Sequence, residues 1–215
     1  DIKKVQYLQQ RIIRSPHAKL VAVHKVTTLN KGKNTPGVDG QIATTPRMKL
    51  KLAKNLHLNG KASLIRRVWI PKPGKTEKRP LGIPIIQDRA KQALATLALE
   101  PEWEAKFEPN SYGSRPGRSC HDAIEAIYSN LHQNVDKLVF NADIQKCFDR
   151  INHNALLAKL ESFPLMERQI SAWLKAGIME EDPVVQTMAL GQRHQGLPIA
   201  GGDPPFHGEH RVWRP

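Results

Sequence analysis

The clearest strand signal in the chain, Lys137-Leu138-Val139-Phe140-Asn141-Ala142-Asp143-Ile144, ends in a carboxylate. A short apolar strand that delivers Asp143 to its end offers a hard oxygen ligand for Mg²⁺ in a site shared with substrate phosphates. Phe148, five residues on, is spaced to wall a pocket beside such a metal. Asp149 reads as structural, capping a turn or pairing with Arg150. Taken alone, one Asp at a strand end is more often a cap or a turn residue than a metal ligand.

A second group of chemically useful side chains lies earlier. Lys72, Lys75, Lys78 and Arg79 crowd the segment around Gly74-Lys75-Thr76, and such cations suit a triphosphate or a nucleic-acid backbone. The Gly-Lys-Thr triplet is not a Walker loop. That loop needs a second glycine five residues before Gly74, where Trp69 stands, and it leads from a strand into a helix. The plain alternative is an exposed hairpin with solubilising lysines. His207 and His210 lack a third ligand at metal spacing and carry no metal reading.

The elements that must position these groups follow from periodicity. Apolar spacing from Val5 to Val26, broken at Ser15-Pro16, predicts two short helices. Residues 31–40, rich in Gly, Asn and Pro, read as a loop, and Thr45-Pro46 opens a helix to about His57. Leu64–Ile70 and Lys78–Pro84 predict a hairpin. A helix is expected over Asp88–Phe107, with Asp88 as N-cap and Pro101 interrupting it. A Gly/Pro loop over Ser111–Ser119 precedes a helix to about Gln133. Helices from Asn152 or His153 to Glu161 and over Glu167–Gly177 and a strand over Val184–Met188 complete the reading.

Composition narrows the function classes. With 40% hydrophobic and 25% charged residues, the 215-residue chain is an ordinary globular protein rather than a disordered one. No run of 18 apolar residues and no N-terminal apolar core are found, so no membrane partner and a cytoplasmic location are expected. Cys120 and Cys147 are too few for a disulfide framework or a zinc cage. The charge is lopsided: residues 1–91 hold 21 Lys and Arg against 4 Asp and Glu, a net of +17, whereas residues 92–215 net −4. A basic first half of this kind reads as a polyanion-binding face, without separating RNA, DNA and anionic membrane.

Four ordered blocks carry a family resemblance. Asp143-Ile144-Gln145-Lys146-Cys147-Phe148-Asp149-Arg150-Ile151-Asn152-His153 resembles motif A of the reverse transcriptases encoded by group II introns. Val68-Trp69-Ile70-Pro71-Lys72-Pro73 with Arg79-Pro80-Leu81-Gly82-Ile83-Pro84 resembles the fingers block of that family, and Asn110–Ser119 with His121-Asp122-Ala123-Ile124 the block after it. Leu8–Gly40 is similar to its N-terminal extension. The likeness covers residues 1–198.

The resemblance implies an α+β fold: a basic helical extension over residues 1–60, then fingers and a partial palm of a right-hand polymerase over 61–198. It implies that Asp143 is catalytic and binds metal, with the backbone carbonyl of Ile144 completing the coordination of Mg²⁺. Phe148 would disfavour a ribose 2′-hydroxyl on the incoming nucleotide, and Lys72 and Arg79 would hold its phosphates. The implied reaction is in-line attack of a primer 3′-hydroxyl on a deoxynucleoside triphosphate. The implied partners are intron RNA and an RNA template with its DNA primer. Ser114 departs from the family, which has an aromatic residue there, and weaker local packing is expected.

The second aspartate motif of the family, Tyr-Ala-Asp-Asp, does not occur in the 215 residues, and the likeness stops after Gly196-Leu197-Pro198. Permissible codons for Gly201–Trp213, read one nucleotide along, give Gly-Gly-Ile-Pro-Pro-Phe-Met-Ala-Asn-Ile-Ala-Phe, which resembles the next block of the family. Residues 199–215 are therefore expected to be an out-of-frame tail, and the polypeptide to be inactive as a polymerase. A different class of function, a stand-alone intron RNA-binding module, would rest on Lys25, Lys31, Lys33, Lys49, Lys51 and Lys54 and would show a steep salt dependence.

Overall fold

A computed structural model describes residues 1–74, 76–132, 137–145 and 147–180. They form two compact units. The first comprises residues 1–106 and the described residues from 141 onward, and the second residues 107–140.

In the first unit, α1 (Ile2–Arg14) starts at Asp1, whose carboxylate accepts from Lys3 N–H at 3.0 Å. Ser15 closes α1 and caps α2 (Pro16–His24), with Pro16 at the first helical position. A residue before proline is driven to extended backbone, and Pro16 has no N–H to continue α1, so the break at Ser15 follows from two residues. A single π turn, Lys25–Leu29, prolongs α2, and a 3₁₀ turn, Lys31–Asn34, opens the loop read in the sequence. α3 (Pro46–Asn55) starts as expected, with Thr45 Oγ1 accepting from Met48 N–H.

The expected hairpin forms: β1 (Ile65–Pro71) pairs antiparallel with β2 (Lys78–Ile83), with Trp69 opposite Pro80 and Ile70 opposite Arg79. Lys75, in its turn, lies outside the described residues. α4 (Ile86–Lys106) begins two residues before Asp88, so Asp88 is a buried third helical residue and not an N-cap. Its carboxylate accepts from Ser63 N–H at 2.7 Å and pairs with Lys91 at 3.2 Å. Pro101 does not interrupt α4 either. Beyond the proline, Glu102 accepts from the Gln9 amide at 2.7 Å and pairs with Lys106 at 2.6 Å, contacts that hold the last turn in place of the missing bond.

After the short α6 (Cys147–Arg150), α7 (His153–Leu160) is capped by Asn152, and α8 (Pro164–Leu174) begins three residues before the expected start. β3 (Ile178–Glu180), unforeseen in the sequence, adds parallel to β1, giving the order β2-β1-β3. The core packs Ile13, Val23, Val26, Leu56, Leu94, Met166 and Trp173 around the apolar face of α4. Each fully buried side chain of this kind contributes about 1.5–3 kcal/mol.

The second unit holds the loop 107–119 and α5 (Cys120–Leu131), capped reciprocally by Ser119 and Asp122. Arg115 is buried and donates to the carbonyls of Glu108 and Ser111, and Arg118 donates to that of Pro109. Ser114, the departure from the family pattern, sits at a φ of 56°.

Residues 137–144 are not a strand. Among the described residues no strand pairs with them, and Leu138 and Phe140 are 104% and 92% exposed. An apolar run becomes a strand only when a neighbour takes its backbone bonds and a core covers its side chains. The strand expected over Val184–Met188 and the tail 199–215 lie outside the described residues.

Candidate nucleic-acid interface

The basic extension is organised around one residue. In the π turn, Asn30 N–H reaches back five residues to the Lys25 carbonyl at 3.0 Å, while Thr27 Oγ1 donates to the Val23 carbonyl at 2.7 Å. Thr28 is thereby presented to both Lys33 and Lys49. Lys33 Nζ donates to the Thr28 carbonyl at 3.3 Å, and Lys49 Nζ to Thr28 Oγ1 at 3.0 Å. Among the described residues neither ammonium pairs with a carboxylate. Two like charges held on one residue repel, and a phosphate between them relieves that repulsion. Single π turns are rare and are frequent at functional sites.

Lys25 belongs to the same turn, and Lys31 is exposed on the next one. Lys51 and Lys54 are exposed on α3. At 100° per residue they share a side with Arg47 and face away from Lys49, so they form a second basic stripe. The structure therefore joins Lys33 to Lys49 and separates that pair from Lys51 and Lys54.

The loop that carries Lys31 and Lys33 is fixed from below by a residue the sequence reading passed over. Arg89 on α4 is buried and donates to the Gly32 carbonyl at 2.8 Å and the Thr35 carbonyl at 2.6 Å. Burial lowers its pKa and Asp39 partly offsets this, yet an arginine so placed stays charged. Gly37 completes the anchorage, because a Cβ there would meet the Ile85 backbone at 2.6 Å. Gln169, wholly buried, ties α8 to the segment before β1 by accepting from Asn59 and Gly60 N–H at 3.0 Å and donating to the Lys61 carbonyl at 2.9 Å.

On the hairpin, Lys72 and Arg79 are brought to one face. Opposed residues in an antiparallel pair share a face, and Arg79 lies opposite Ile70, two residues before Lys72. Lys72 N–H donates to the Glu77 carbonyl at 2.9 Å, and its ammonium pairs with the Glu77 carboxylate at 2.6 Å. Arg79 is exposed.

The expected metal ligands are placed differently. Asp143 and Ile144 are exposed, and the Ile144 carbonyl accepts from Cys147 N–H at 3.2 Å, forming the turn that opens α6. A carbonyl has a second lone pair, so this bond leaves room for a cation. Phe148 is 67% exposed on α6. The donor types suit Mg²⁺, but among the described residues no group of three or more His, Cys, Asp or Glu side chains stands close enough to hold a metal. Among the described residues Asp143 and the Ile144 carbonyl therefore stand without the further carboxylates that a metal centre needs. No described helix is long and apolar enough to cross a membrane.

Comparison with known proteins agrees with the ordered blocks. Residues 1–56 match the model of the N-terminal domain of reverse transcriptase. Residues 70–201 match that of reverse transcriptase (RNA-dependent DNA polymerase), which spans more than half of the chain. The chain belongs to the reverse transcriptase family.

Relatives of this reverse transcriptase chain include group II intron-encoded proteins and maturases. Protein YkfC of Escherichia coli is 35% identical over 156 residues, covering 68% of this chain and 40% of that protein. The group II intron-encoded protein LtrA of Lactococcus lactis is 36% identical over 120 residues, covering 54% of this chain and 20% of LtrA. Maturase-like protein 1 of Euglena gracilis is 32% identical over 174 residues, covering 74% of this chain and 36% of that protein. The chain thus spans well under half the length of each of these relatives. The mixed helices and small sheet agree with the α+β class of a reverse transcriptase domain.

Proposed function

We propose that residues 1–198 are the RNA-gripping front of a group II intron reverse transcriptase/maturase: the basic extension, the fingers and the first part of a right-hand palm. The observation that carries this reading is the convergence of Lys33 and Lys49 on Thr28 in the family's N-terminal domain. Two ammonium groups without carboxylate partners among the described residues, Lys33 on the loop that Arg89 holds and Lys49 on α3, suit a phosphate of intron or template RNA. Lys25 and Lys31 extend that contact, and Lys51 and Lys54 make a second one.

In the intact protein, Lys72 and Arg79 would hold the triphosphate of an incoming deoxynucleotide, and Phe148 would lie against its sugar. Asp143 and the Ile144 carbonyl would be two of the oxygen ligands for Mg²⁺, which activates the phosphoryl centre when bound. A two-metal reaction needs more carboxylates than Asp143 provides, and no Tyr-x-Asp-Asp occurs in these 215 residues. The polypeptide by itself is therefore an RNA-binding module without polymerase activity.

The test is Mg²⁺-dependent primer extension on an RNA template by the purified 215-residue polypeptide. No extension is expected. Extension that disappears in Asp143→Ala would overturn the inactive reading.

A further inference from the structure

The hairpin has a second face, opposite to that of Lys72 and Arg79, which carries Lys78 of the basic cluster beside an exposed tryptophan. The register sets Arg67 opposite Gly82, Trp69 opposite Pro80 and Pro71 opposite Lys78, all on this face. Trp69 is 48% exposed at the middle rung. The Arg67 guanidinium lies over its ring, 6.0 Å from the centroid, and is itself anchored to Glu180 of β3 at 2.9 Å. Gly82 has no side chain to rise beside Arg67; a Cβ there would meet Ile65 Cγ2 at 2.9 Å. Pro80 is short and rigid. The face is thus low around one half-exposed indole, with the Arg67 guanidinium over its ring and Lys78 on the partner strand, its backbone about 7 Å further along.

The geometry points to Trp69 as a stacking platform for an unpaired base of single-stranded nucleic acid, with Arg67 and Lys78 placed for the flanking phosphates. A large aromatic side chain left half open on a sheet face forgoes burial, and base stacking recovers it. Aromatic residues on sheet faces bind single strands in this way, largely without regard to sequence, and arginine beside the ring strengthens the site. The inference rests on the RNA-binding reading above and adds a subsite to it. The Thr28 seat grips phosphates only, whereas this one requires a base.

Intrinsic tryptophan fluorescence and fluorescence-independent affinity measurements on the full chain test it, with a twelve-nucleotide oligoadenylate and with heparin, a polyanion that has no bases. Oligoadenylate is expected to quench wild type, and the quenching is expected to be lost in Trp69→Leu. The same variant should bind oligoadenylate about 5- to 100-fold more weakly and heparin as before. Trp69→Phe, which keeps an aromatic face, should retain most of the oligoadenylate affinity, and it also covers the case in which the leucine variant misfolds. If both variants bind oligoadenylate as tightly as wild type, the platform is overturned while RNA binding stands. If wild type binds neither polyanion, the RNA-binding reading falls and the platform with it.

Discussion

Lys91 places its ammonium 3.2 Å from the Asp88 carboxylate inside the fold, where the two side chains are 5% and 3% exposed. The ammonium also donates to Asn59 Oδ1 at 3.1 Å and the Lys61 carbonyl at 3.2 Å, so the pair fastens α4 to the segment leading into the hairpin. Lys91→Met would strand a buried carboxylate and should cost about 3–5 kcal/mol in urea unfolding. Adding Asp88→Asn should restore part of that loss, because an amide can stay neutral and still accept from Ser63 N–H. A double variant no more stable than Lys91→Met would show that the charge is not what matters.

Arg89 serves the interface through the loop it holds. Arg89→Ala removes charged donors from the Gly32 and Thr35 carbonyls and should destabilise the fold by about 2–4 kcal/mol. Arg89→Lys cannot reproduce the two-carbonyl fork and should recover only part of the stability. Both variants should also bind RNA less tightly, since Lys31 and Lys33 ride on that loop. Wild-type RNA affinity in a folded Arg89→Ala chain would separate the loop from the interface.

The Lys72–Glu77 pair sits on an exposed hairpin end and contributes little to stability. Its consequence is competitive: Glu77 occupies the cation that a triphosphate would use. Glu77→Gln should raise affinity for inorganic triphosphate by up to about fivefold with an unchanged melting temperature, and Lys72→Ala should lower it. Calorimetric titration reads both.

Asp122 is held below the usual carboxylate range, first by the Ser119 hydroxyl, next by the Ser119 backbone N–H, with Arg118 and His121 adding attraction. A depressed folded-state pKa means that the cap favours the folded state fully above about pH 4, the unfolded value, and loses that effect as pH falls through the lower folded value. A carboxyl-carbon NMR titration should place the Asp122 midpoint below that of an ordinary aspartate. Ser119→Ala should move it upward, and an unmoved midpoint would contradict the capping account.

What the sequence made legible was mostly local. The proline at helix position one after Ser15 and Thr45, the Ser119 cap with Asp122 three residues on, and the hairpin flanking Gly74 are signals carried within a few residues. Asp88 has the residue type of a cap, while its real role depends on Lys91 and Ser63, one of them in another segment. Pro101 signals a break through the bond it lacks, which is local, whereas Gln9 and Lys106 act on the next turn. β3 pairs with a strand more than a hundred residues earlier, and three residues carry no period. The run 137–144 has strand composition without a strand partner among the described residues. Motif A was recognisable as a pattern, but pattern does not bring carboxylates together. The meeting of Lys33 and Lys49 depends on a π turn for which the sequence has no signal.

The most direct test of the central claim is equilibrium binding of a group II intron RNA by the 215-residue chain across a salt series, for wild type and for the double variant Lys33→Ala/Lys49→Ala. Log K is expected to fall steeply and linearly with log salt for wild type, and the double variant to lower the slope by about two, one for each lost phosphate contact. A flat response in wild type, or an unchanged slope and affinity in the double variant, would contradict it.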